Sequence, residues 1–138
     1  MKIVKGQYDL IICNPPFFSN SMLPATHGRG LARHSASLSL EQIFRGSGNI
    51  LSTNGRLSII FPFEMMDDVL IRAGTFGLFP LRLLSIIPVP GKEAKRVCMD
   101  LSFTKGELHS EEMIIEDGGR HHYSSKYRKL TKDYYLDF

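Results

Sequence analysis

A largely apolar run, Tyr8-Asp9-Leu10-Ile11-Ile12-Cys13, is cut off by Asn14 and two consecutive prolines. A short continuous run of this kind reads as a strand buried on both faces, as in a parallel sheet. Neither Pro15 nor Pro16 can donate to a strand ladder, so the strand ends there and its carboxyl end is fixed. In open α/β sheets, ligands sit beyond the carboxyl ends of strands. Asn14-Pro15-Pro16-Phe17 therefore falls where a ligand is expected. A carboxamide, two stiff carbonyls and a ring around one small volume suit a planar amine.

Downstream, strand and helix patterns alternate. Residues 18–36 are rich in Ser, Gly, His and Arg and read as a long connection. Ser37 or Ser39 caps a helix predicted over 38–52, with Leu38, Ile43, Ile50 and Leu51 among its apolar positions; Gly46 and Gly48 weaken its middle. Asn54-Gly55 predicts a turn, and Arg56 to Phe63 a second buried strand ending in Phe61-Pro62-Phe63. A helix follows from Glu64 to about Gly77, with Met65, Val69, Leu70 and Phe76 facing inward, and Gly77 and Pro80 stop it. Residues 81–89 and 97–105 predict two more strands. The polar loop Pro90 to Arg96 between them leaves no room for a helix, so they are expected to pair antiparallel. Met113 to Glu116 reads as a last short strand, and Ser124 to Leu136 as a basic, aromatic helix. This order is that of one half of an open α/β sheet with an antiparallel edge pair.

At 138 residues the chain is long enough for one domain with a real core. A net charge of +3 permits a nucleic-acid partner without requiring one. Cys13 and Cys98 lie in apolar runs without CxxC spacing, as expected of reduced core residues in a cytoplasmic protein. No apolar stretch reaches the ~20 residues of a membrane span, so no membrane partner is expected. The adjacent His121 and His122 point apart on a strand or helix, and no metal site is expected.

The exocyclic amine of an aromatic base is a poor nucleophile, because its lone pair is delocalised into the ring. Two acceptors aimed at its N–H bonds draw the nitrogen toward tetrahedral geometry. The Asn14 side-chain oxygen and the Pro15 carbonyl can be those acceptors, Pro16 stiffens the turn, and Phe17 offers a face for a flipped base. The stretch Tyr8 to Phe18 resembles the fourth motif of the Rossmann-like methyltransferases that use S-adenosylmethionine. Ala32-Arg33-His34, Lys95-Arg96 and Tyr127 to Phe138 narrow the resemblance to bacterial enzymes that methylate N6 of an adenine in the anticodon loop of valine tRNA. The resemblance implies that Asn14 and Pro15 bind the amine, that Asn14 also borders the cofactor, and that Phe17 stacks on the base. It sets Arg33 and His34 near the substrate entrance, where the alternative is a solvated basic pair. Lys95 and Arg96 either contact RNA phosphate or form a charged loop that blunts a sheet edge. The tail cations Lys126, Arg128, Lys129 and Lys132 interleave with tyrosines, a mix that suits RNA or plain packing.

The resembled family also needs a Gly-rich turn after its first strand and an acidic residue after its second. Only 13 residues precede Asn14. The clusters Gly28-Arg29-Gly30 and Gly46-Ser47-Gly48 do not follow predicted strands. Residues 1–138 are therefore expected to form a single partial methyltransferase domain, the C-terminal substrate half, with little activity alone. Its Tyr8–Cys13 strand becomes an exposed edge, for which self-association is expected. Two enzyme alternatives also use Asn-Pro-Pro-aromatic: release-factor glutamine methyltransferases and ribosomal guanine-N2 methyltransferases, the latter often with His where this chain has Phe18. A non-catalytic RNA-binding module is the alternative outside enzymes.

Overall fold

A computed structural model describes residues 6–16 and 38–135. Five strands form one sheet: β1 (Tyr8–Cys13), β2 (Leu51–Pro62), β3 (Phe79–Ile87), β4 (Arg96–Ser102) and β5 (His109–Ile114). Their spatial order is β1-β2-β4-β3-β5. β1 is parallel to β2 and β5 to β3, whereas β4 is antiparallel to both of its neighbours. Four strands thus bring their carboxyl ends to one rim, and β4 starts from that rim.

Helices α1 (Leu40–Ile50) and α2 (Met66–Thr75) cover one face; α3 (Ser125–Thr131) packs near β5. Ser39 starts α1 with a capping box: its hydroxyl accepts from the Gln42 N–H at 3.2 Å, and the Gln42 side-chain oxygen accepts from the Ser39 N–H at 2.9 Å. Leu40, Ile43, Phe44 and Ser47 form the buried stripe of α1 at helical spacing. From α2, Val69 and Ala73 are buried, and Met65, Leu70 and Phe76 pack against the core as the sequence predicts. Gly77, at φ 71°, ends α2; its N–H donates to the Gly74 carbonyl and that of Leu78 to the Ala73 carbonyl, both at 3.0 Å. Beneath the helices, Leu57, Ile59 and Phe61 of β2 alternate inward beside Val97, Met99 and Leu101 of β4. Each such side chain contributes roughly 1.5–3 kcal/mol on burial. β2 and β4 thereby supply the sheet's main share of the buried core.

Three expectations change. β1 is not buried on both faces: Ile11 and Cys13 pack on the core, while Tyr8, Leu10 and Ile12 are exposed. No layer among the described residues covers that second face. Asn54-Gly55 does not separate two elements; it lies within β2, where the register opposite β1 jumps from Leu51 to Arg56 across only two β1 residues. The turn signal is realised as an outward bulge of a longer strand, and the Ser102 hydroxyl satisfies the Gly55 carbonyl at 3.0 Å. The β3–β4 pair is antiparallel as expected, but β4 lies inside the sheet and β5 makes the edge. Gly46-Ser47-Gly48 is helical, in the last turns of α1. Among the described residues, no helix is long and apolar enough to cross a membrane.

Candidate active site

Cys13 pairs with Ile59, so the next residue, Asn14, leaves β1 beside Ile60. Pro15 is buried, whereas Asn14 and Pro16 are exposed. Asn14, Pro15 and Pro16 line a cleft of about 370 Å³ with Ile60 and Arg96. The cleft lies at the rim where the parallel strands end, which is where α/β sheets hold ligands. Larger spaces exist, one of about 650 Å³ around Asp9, Ser52 and Asn54 among them. That one opens at the amino end of β1, on the opposite rim and away from this chemistry.

Arg96 reaches the cleft because it opens β4 and is paired on both sides, with Pro62 of β2 and Ile86 of β3. The loop before it is pinned: the Lys95 N–H donates to the Ile86 carbonyl at 2.9 Å, and the Phe63 N–H donates to the Lys95 carbonyl at 3.1 Å. Lys95 and Arg96 are both exposed. The edge-blunting alternative is thereby removed for this pair, since β4 has no free edge. Among the described lining residues, a carboxamide, a rigid turn and a guanidinium converge on one opening, with no carboxylate beside them. Such a set accepts N–H donors and attracts an anion.

Of the expected site residues, Asn14, Pro15, Pro16 and Arg96 come together, and Lys95 stands just outside the cleft. Phe17, Arg33 and His34 lie outside the described residues. Sequence reasoning missed Ile60, which forms the apolar wall; pairing β1 with β2 in register was the signal that could have found it. Burial pushes the Cys13 thiol up, and burial followed by the nearby Asp100 does the same for Cys98, so both free cysteines stay protonated rather than nucleophilic.

No protein-family model matches the chain. Curated relatives do. Over 130 residues, 94% of this chain, it is 37% identical to a tRNA1(Val) (adenine(37)-N6)-methyltransferase of Bacteroides fragilis. Over 136 residues, 99% of the chain, it is 35% identical to the protein of the same name from Trichodesmium erythraeum. The chain resembles valine-tRNA adenine methyltransferases. It spans about half the length of these relatives, 54% and 56% respectively. Among solved structures, a predicted O-methyltransferase of Agrobacterium tumefaciens superposes with a TM-score of 0.69 at 20% identity, covering 94% of this chain and 53% of that one. The fold is accordingly that of a Rossmann-like methyltransferase sheet. The cleft residues fit the acceptor side of such chemistry. With no carboxylate among the described lining residues to take ribose hydroxyls, these residues do not by themselves fit the whole S-adenosylmethionine molecule.

Proposed function

We propose that this chain is the substrate half of one methyltransferase domain, which uses S-adenosylmethionine to methylate N6 of an adenine in a cytoplasmic tRNA. The observation that carries the reading is the cleft itself: Asn14, Pro15 and Arg96 meet at the ligand-binding rim of a chain similar to valine-tRNA methyltransferases. Asn14 and the Pro15 carbonyl accept the two N–H bonds of the amine and localise its lone pair. The buried Pro15 keeps that geometry from relaxing, and Ile60 walls the base on one side. Arg96, with Lys95 beside it, neutralises phosphate next to the reacting nucleotide. By the same reading, Phe17 is assigned to stack on the base and Arg33 and His34 to contact the substrate. The methylated nitrogen is acidic and needs no strong base, so positioning supplies most of the rate.

The 138 residues alone turn over poorly in this reading. Labelled S-adenosylmethionine and unmodified valine tRNA test it, with this chain and with one extended to the length of its relatives. N6-methyladenine from the longer chain alone is the expected product; methyl groups on guanine or on a release factor would replace the reading with another. In the longer chain, Asn14→Ala is expected to lower turnover at least 100-fold while tRNA affinity changes less than threefold, since acceptors act in the transition state. Equal losses in both would remove Asn14 from amine binding.

A further inference from the structure

A run of cations lies far from the cleft, just after the acids Glu111, Glu112, Glu116 and Asp117. Between Arg120 and Tyr135 stand five Lys or Arg residues and one acid, a net excess of four, while the whole chain carries +3. The remainder is on balance slightly acidic. Arg120, Arg128, Lys129 and Lys132 are all exposed. Among them stands Tyr134, 85% exposed.

This surface is held in shape. The Ser124 N–H donates to the Ile115 carbonyl at 2.8 Å and fixes the start of α3. Lys126 is exposed but tied to β5, its ammonium 2.8 Å from Glu111 Oε2 and 2.9 Å from the Glu112 carbonyl. Rings of Tyr123 and Tyr127 pack with centroids 5.4 Å apart. The hydrogen bond with Tyr135, and then burial, push the Tyr127 phenol up to about 12, so it stays neutral. Before the helix, the turn carrying Arg120 is closed: the His122 N–H donates to the Gly119 carbonyl and the His121 N–H to Glu116 Oε1, both at 3.0 Å.

Its position relates it to the cleft. β5 runs parallel with β1, so the turn after β5 rises on the same rim as Asn14. Four strand spacings separate the two, about 19 Å at ~4.8 Å each. Arg96 and Lys95 lie between them. We propose that the turn at Arg120 and the exposed cations Arg128, Lys129 and Lys132 of α3 and its C-terminal end form a second RNA-contacting surface, which holds backbone phosphates several nucleotides from the base in the Asn14 cleft. The polymer's identity rests on the methyltransferase reading; the surface itself stands on charge and exposure, with the Arg120 turn on the shared rim and α3 running back from it. Its contribution is to affinity and orientation, not to the chemical step.

Binding of the 138-residue chain to unmodified valine tRNA over a range of salt tests this. The combined variant Arg120→Gln, Lys129→Gln, Lys132→Gln spares the Lys126 anchor. Its Kd is expected to rise about tenfold or more, and the slope of log Kd against log salt to flatten by about two, at roughly 0.7–0.9 per phosphate contact. Lys105→Gln, whose ammonium lies over the Phe79 ring 4.6 Å from its centroid at the opposite rim, is expected to change neither. Parental affinity and slope in the triple variant with an unchanged melting curve, or an equal loss in Lys105→Gln, would overturn the proposal. So would anionic lipid vesicles binding α3 in preference to tRNA. Failure of the amine reading appears elsewhere, as normal turnover in Asn14→Ala, and leaves the binding result standing.

Discussion

Gly55 sits where the β2 bulge meets the start of β1. A Cβ there would stand 2.8 Å from Leu51 Cδ1 and from the Tyr8 carbonyl oxygen, and 2.9 Å from Ser52 Oγ. None of the three yields freely: Leu51 is buried in the core, the Ser52 hydroxyl donates to Asp9 Oδ1 at 2.6 Å, and the Tyr8 carbonyl belongs to β1 and moves only with the strand. Gly55→Ala is expected to destabilise the fold by about 1–3 kcal/mol, read as a lower urea midpoint at constant slope. An unchanged midpoint would mean that β1 yields freely. The strand displaced is the one that ends in Asn14, so Gly55, at the far end of β1, helps aim the amine-binding residue. Arg96 shows a similar dependence on backbone. Its place beside Asn14 comes from being the first residue of a strand held on both sides.

Among the elements, α3 is tied to β5 by an ion pair. The Lys126 ammonium, by hydrogen bond and then by charge, holds the Glu111 carboxyl below its usual range. The folded value is depressed, so the pair's contribution is complete above the ordinary glutamate value near ~4.3 and is lost as pH falls through the lower folded value. Acid titration followed by tyrosine fluorescence is expected to show α3 loosening only below the usual carboxylate range. Glu111→Gln should abolish that step; an unaltered step in this variant would place the anchor elsewhere. The elements were largely legible because their signals are local. Prolines ended β1, Ser39 capped α1, and Gly77 stopped α2. The sheet order was not legible, since nothing in residues 96–102 states that β4 inserts between β2 and β3. The bulge at Gly55 was misread as a turn for the same reason: an Asn-Gly pair is identical in both settings, and only pairing with β1 distinguishes them. In the site, Asn14-Pro15-Pro16 was legible from residue chemistry, and Arg96 was named for phosphate. That the two share one cleft, with Ile60 as its wall, is a product of register.

For the molecule as a whole, β1 is hydrogen-bonded to β2, and no strand lies on its other side among the described residues. Ile12 is 77% exposed beside it. An apolar edge of this kind recruits another strand. The 138-residue chain is expected to associate with concentration in sedimentation velocity, and Ile12→Lys to return it toward monomer. A single monomeric boundary at high concentration would show that the edge is already protected. The inserted strand β4 has a further consequence, in time rather than in space. During synthesis β2 and β3 emerge before β4, yet in the finished sheet neither touches the other. They must wait, with the apolar faces of both exposed, until residue 102 has left the ribosome and β4 can enter between them. The opening beside Asn14 is completed by that same entry, because Arg96 leads the last central strand into place. A nascent chain halted before β4 therefore carries the Asn-Pro-Pro corner without the cation that completes its cleft.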